Sequence, residues 1–115
     1  VVHHSVGALE GIRIGRFEPP GEPPARPDFA ALQAHVAEAR EAMQKLTPEA
    51  VNGLETKDLV FQLGERALPF TAVGFLSSFS LPNFYFHATT AYDILRSKGV
   101  PVGKRDYLGR LRMKT

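Results

Sequence analysis

The chain has 115 residues, a hydrophobic share of 43%, no cysteine and a formal net charge of +2. That is the length of one ordinary domain able to bury a core, so residues 1–115 are expected to form a single domain. The composition excludes disulfides, thiolate metal ligands and a cysteine nucleophile, and it excludes a membrane span, because no uninterrupted apolar run approaches the roughly 20 residues required.

The chain begins Val-Val-His-His, without a basic segment followed by an apolar one, so no signal peptide is legible and an upstream segment is expected to be missing. Val2, Val6, Leu9 and Ile12 recur at helical spacing, which predicts a helix over Val1 to Gly15 that no capping residue precedes. Gly7, Gly11 and Gly15 recur every fourth residue along it and would let another helix approach closely. Glu18 to Asp28 contains five of the nine prolines and reads as an extended connector.

Asp28 suits an N-cap, and Phe29, Leu32, Val36, Ala39, Met43 and Leu46 alternate steps of three and four behind it. This is the clearest helix in the chain, with one apolar side and a wet side carrying Glu38, Arg40, Glu41 and Lys45. Thr47-Pro48-Glu49 starts a further short helix that ends near Gly53. Leu59 to Leu63 and Ala67 to Phe70 flank Gly64-Glu65-Arg66, the pattern of a small β-hairpin.

From Phe84 a stripe of Phe84, Ala88, Ala91 and Leu95 predicts the last helix, stopped by Lys98, Gly99 and Pro101. Pro82 interrupts the apolar run before it and predicts a kink or break, with Ser80 or Asn83 as a cap. Beyond Gly103 the basic residues Lys104, Arg105, Arg110, Arg112 and Lys114 face only Asp106. Nucleic-acid recognition interleaves such charges with stacking aromatics, and Tyr107 alone is too little; the segment reads as a solvated or partner-contacting tail, with no nucleic acid and no membrane as partner. Absence of cysteine suits a reducing compartment, and the cytoplasm is the expected location.

The segment LPNFYFHATTAYDILRSKGVPVGKRDYLG, Leu81 to Gly109, resembles the C-terminal signature of an uncharacterised bacterial and fungal family in the DinB-like superfamily of four-helix bundles. The FEPPGE connector, the TPEAVNG turn and the hairpin follow in the same family order. The resemblance implies a mainly α, DinB-like up-down bundle with a small β-hairpin before the last helix. In it the helix at Val1 to Gly15 is similar to the second of four, and the first has no counterpart in the sequence. An apolar groove left by that helix would be covered by the missing segment or by a second copy, which leads to a homodimer as the expected partner arrangement.

The superfamily includes metal-dependent thiol transferases and an isomerase that use three histidines, one on the second helix and two spaced four apart on the fourth. Imidazoles at i and i+4 stack on adjacent turns and leave metal positions open for water or thiolate. Here His87 matches one of the pair, but position 91 is Ala91 and position 83 is Asn83, and His3 or His4 stands near the second-helix ligand. His87, His3 and His4 are therefore the candidate ligands of a divalent metal (zinc, nickel or manganese) in an incomplete triad; the spacing of neither Asp93 nor Glu10 argues for a carboxylate that completes it. No cofactor is certain from the sequence. The rival is a small-molecule pocket lined by His87, Asn83, Tyr85 and Tyr92, since the two tyrosines lie seven apart on one helix face. Two functions stay open: a small-molecule-binding or interaction protein without the full triad, and a metal-dependent thiol transferase or hydrolase.

Overall fold

The computed structural model describes residues 1–22 and 25–114. A 3₁₀ turn at Val2–His4 leads into α1 (Val6–Ile14), followed by β1 (Arg16–Phe17), α2 (Phe29–Gln44) and α3 (Pro48–Asn52). The hairpin β2 (Asp58–Leu63) and β3 (Arg66–Thr71) comes next. It runs directly into α4 (Ala72–Phe75), a π-helical turn at Leu76–Ser80, α5 (Leu81–Ser97) and finally α6 (Lys104–Leu108). The fold is mainly helical around a small three-stranded sheet.

Local chemistry sets most of these boundaries. The Asp28 carboxylate accepts the Ala31 N–H at 2.7 Å and the Thr47 hydroxyl accepts that of Ala50 at 3.2 Å, each satisfying one of the donors a helix start leaves free. Leu63 pairs with Arg66 across a two-residue turn. Gly64 takes φ of +59° there, and Glu65 keeps a negative φ, the backbone pattern of a type II′ hairpin. At the other end Gly99 adopts φ of +82°, and the N–H of Val100 closes on Leu95 at 3.1 Å, ending α5.

Four expectations are corrected. The first helix is not continuous from residue 1: Ser5, at φ −94° and ψ −92°, separates the 3₁₀ turn from α1. The sheet has a third strand, because Arg16 and Phe17 pair parallel to Val60 and Phe61, and α2 and α3 lie on the crossover that such parallel pairing requires. The chain does not break at Pro82. One turn widens to π geometry just before it, which accommodates the missing N–H and the ring without ending the helical run. Neither Ser80 nor Asn83 acts as a cap. Of the connector predicted as extended over Glu18 to Asp28, positions 23 and 24 lie outside the described residues, and the rest has no regular secondary structure.

The core gathers where α1, β1, β2 and α4 meet. Ala8, Ile12, Phe17, Leu59, Phe61, Ala72 and Phe75 are buried there, with Leu54, Phe70, Leu76 and Phe79 packed against them. Strand β2 alternates as a half-buried strand should, with Leu59 and Phe61 on the core face. Gly11 lies against β1 rather than against a helix: a Cβ there would stand 3.0 Å from the Phe17 ring and 3.1 Å from the Arg16 carbonyl. Helices α2 and α5 contribute no buried residue among those described.

Candidate functional site

Three histidines come together where the N-terminal turn meets α5. His4 N–H bonds the Val1 carbonyl at 3.1 Å and Ser5 closes on Val2 through both its N–H and its hydroxyl, which folds His3 and His4 back over β1. The anchor is long-range: the hydroxyl of Ser80, a buried residue on the π turn, donates to the His4 carbonyl at 3.1 Å. The His4 ring lies 5.6 Å from that of Phe17, 5.7 Å from Phe79 and 6.3 Å from His87, the last pair nearly parallel at 17°. His3 sits 4.6 Å from the Phe17 ring and 5.8 Å from His4. Phe17 thus backs His3 and His4, Phe79 backs His4, and His87 meets the His4 ring and the neighbouring Phe86.

The nitrogens differ in what they have left to offer. His3 Nε2 is 2.7 Å from the Glu18 carbonyl. A carbonyl only accepts, so this nitrogen carries the proton and the tautomer is assigned by the bond. His3 Nδ1 is then the lone pair, held over Gly7 so closely that a Cβ there would stand 3.3 Å away. His4 Nδ1 is buried and has no hydrogen-bond partner, an exception among buried polar atoms. Burial foremost, then His3, the N-terminal amine and His87, holds the His4 pKa below the usual histidine value, so the ring is neutral at pH 7. A neutral imidazole with an unclaimed Nδ1 accepts or donates one hydrogen bond there according to its tautomer, or serves as half of a ligand pair.

A complete metal centre needs more than this. Tetrahedral sites draw three or four lone pairs to one point, whereas His4 and His87 lie in nearly parallel planes. Among the described residues no group of three or more His, Cys, Asp or Glu side chains is placed to hold a metal ion. Position 91, one turn beyond His87, is Ala91, and the Asn83 amide donates to the Phe79 carbonyl of its own helix at 2.7 Å. Glu10 is engaged by the Arg13 guanidinium, with Nε at 2.7 Å, and that contact holds its carboxyl below the usual range. The residues present do not fit the three-histidine centre of the superfamily.

The tyrosines of α5 are placed apart from this cluster. Tyr92 accepts a hydrogen bond from Arg96 at 2.9 Å, and its ring meets that of Tyr107 at 5.6 Å. Tyr107 sits on α6, where Asp106 bonds the Gly103 N–H, and its hydroxyl lies 3.0 Å from Thr89. The start of the basic tail is therefore a short helix docked on α5. Tyr85 is exposed and stacks edge-on with Phe84 at 5.5 Å. Two clefts flank His3 instead. One, of about 450 Å³, runs between the N-terminal turn and α2 past Val6, His35 and Glu38; the other, of about 420 Å³, runs past Glu10, Ile14 and Phe17. Sequence reasoning missed Phe17, Phe79 and Ser80 as the frame of the cluster. The serines before Pro82 were the one signal for Ser80, and nothing local says that its partner is 76 residues away.

Comparison with protein families matches residues 3–108 to the family described as Domain of unknown function (DUF1993). A solved structure of a DinB family member from Shewanella denitrificans is similar over 99% of this chain, at 25% identity and a TM-score of 0.74. The chain spans 64% of that protein's length. No curated protein matches.

Proposed function

The chain belongs to the Domain of unknown function (DUF1993) family, and from that membership and its DinB-like fold we propose that it is a small-molecule-binding or interaction protein without the superfamily's full histidine metal triad. One observation supports the reading: His4 has His3 on one side and His87 on another, yet among the described residues no group of three or more His, Cys, Asp or Glu side chains is placed to hold a metal ion. What the cluster does offer is a neutral, unpartnered His4 imidazole, its Nδ1 buried beside Phe17 and Phe79, with the exposed His87 ring nearly parallel to it. The exposed His87 ring and the two clefts beside His3 suit a small planar molecule that exchanges one hydrogen bond with an imidazole. His87 stands at the exposed edge of this surface, with Asn83 one turn before it on α5, while Tyr85 and Tyr92 lie on the other side of that helix.

The test is elemental analysis of untagged protein dialysed against metal-free buffer, then supplied with zinc, nickel or manganese, followed by titration with indole as an aromatic donor probe. The reading expects no stoichiometric metal, and indole-dependent shifts of the His4 and His87 ring signals. The second reading, a metal-dependent thiol transferase or hydrolase, draws on the same orphaned His4 nitrogen beside His87. About one divalent ion per chain, lost in His87→Ala, would replace the first reading with the second.

A further inference from the structure

The crossover between α2 and the hairpin carries Asn52-Gly53, the last residue of α3 and the glycine that follows it. Both are exposed. Gly53 sits at φ −63° and ψ −10°, and a Cβ there would stand 3.2 Å from the Glu49 carbonyl oxygen, so the end of α3 disfavours a larger residue. The same lack of a side chain leaves the Gly53 nitrogen unshielded. An exposed asparagine followed by glycine is reactive, because that nitrogen can reach the side-chain carbonyl carbon and close a five-membered ring.

We propose that Asn52-Gly53 is a site of self-modification, at which the chain converts its own asparagine to aspartate and isoaspartate at a rate set by the last turn of α3. The Gly53 nitrogen attacks Cγ of Asn52 and loses its proton to water; the bond from Cγ to the side-chain nitrogen breaks and ammonia leaves. Water then opens the resulting imide at either carbonyl, giving Asp from one and the isoaspartyl linkage from the other. Water is the only co-reactant. In the folded chain the same nitrogen donates to the Glu49 carbonyl at 2.9 Å, and the helical backbone of Asn52 turns it away from Cγ. The reaction therefore proceeds from a frayed α3. That helix is five residues long, none of them buried, and its start rests on the Thr47 hydroxyl, which accepts the Ala50 N–H at 3.2 Å.

Conversion loosens the lead into β2. The Asn52 main-chain carbonyl accepts the Glu55 N–H at 3.1 Å, in the turn that carries Leu54 against the core just before Asp58 opens β2. In the isoaspartyl form the main chain runs through Cβ and Cγ, one carbon longer, and that carbonyl becomes part of a free carboxylate. Either product also places a negative charge at the C-terminal end of α3, three residues from Glu49, where the helix dipole opposes it.

The test follows the full chain by peptide mapping during prolonged incubation. Trypsin releases residues 46–57 as one peptide, so conversion at Asn52 reads as the mass gain of an amide-to-acid exchange, with the isoaspartyl form separated from the aspartyl one. Asn83 is the internal control, since the bulky Phe84 follows it and its amide donates to the Phe79 carbonyl at 2.7 Å within one helical run. Asn52 is expected to convert while Asn83 stays intact, and Asn52→Gln, whose ring would be six-membered, should stay intact too. Thr47→Ala, with circular dichroism matched to wild type, should speed conversion about fivefold, the equivalent of the about 1 kcal/mol that an N-cap contributes. The urea-unfolded chain should react faster still. Conversion of both asparagines at one rate, an intact Asn52 once the unfolded chain has reacted, or a rate untouched by Thr47→Ala would overturn the proposal.

Discussion

Replacing either of two glycines on α1 by alanine should move stability in opposite directions. In mid-helix the exchange gains about 1 kcal/mol from propensity alone. At Gly11 the new Cβ would stand 3.0 Å from Phe17 Cδ2, 3.1 Å from the Arg16 carbonyl and 3.2 Å from Phe17 Cβ. Neither neighbour can give way: Phe17 is 4% exposed, wedged between Phe61 at 5.8 Å and Phe75 at 5.0 Å, and β1 is tied to β2 by its parallel ladder. Overpacking of this kind costs about 1–3 kcal/mol, so Gly11→Ala is expected to lose about 1 kcal/mol net. At Gly7, in the first turn of α1, the close contacts are all to the His3 ring, 3.3 Å away at the nearest, which need give by only a few tenths of an ångström, so Gly7→Ala is expected to gain a few tenths of a kcal/mol. Urea unfolding followed by circular dichroism would measure both, with the m-value checked for constancy. If Gly11→Ala matches or exceeds the wild-type midpoint, the close approach of α1 to β1 is not what holds a glycine there.

Two further changes probe the histidine cluster. Ser80→Ala should cost about 1–3 kcal/mol, because it removes the bond to the His4 carbonyl inside the fold, and the His3 and His4 ring signals should shift with it in NMR spectra. The lowered pKa of His4 means that the folded state binds fewer protons than the unfolded chain below the ordinary value of 6.5. This stability is complete above that pH, falls as the pH drops from 6.5 toward the lowered folded value, and changes no further beneath it. Comparing unfolding midpoints on either side of pH 6.5 for wild type and His4→Phe isolates the effect; an identical pH slope in the two proteins would contradict it.

By itself the sequence determined the features whose physics is local. Asp28 and Thr47 announce helix starts because their side chains reach the N–H three residues on, and Gly64 and Gly99 sit where a positive φ is required. The heptad spacing of α2 likewise made that helix plain, and the Leu81 to Gly109 segment carried the family resemblance. Tertiary structure decided whatever depends on a partner far along the chain. Arg16 and Phe17 carry no strand signal in two residues and become a strand only because β2 offers its edge some 44 positions later. Gly11 was read as room for a helix, but its neighbour is Phe17. His87 and His4 are unremarkable singly, and they share a site because Ser80 draws the N-terminal turn onto the π turn before α5. The residues that bring these histidines together do so through packing at long sequence separation, which no short-range pattern encodes.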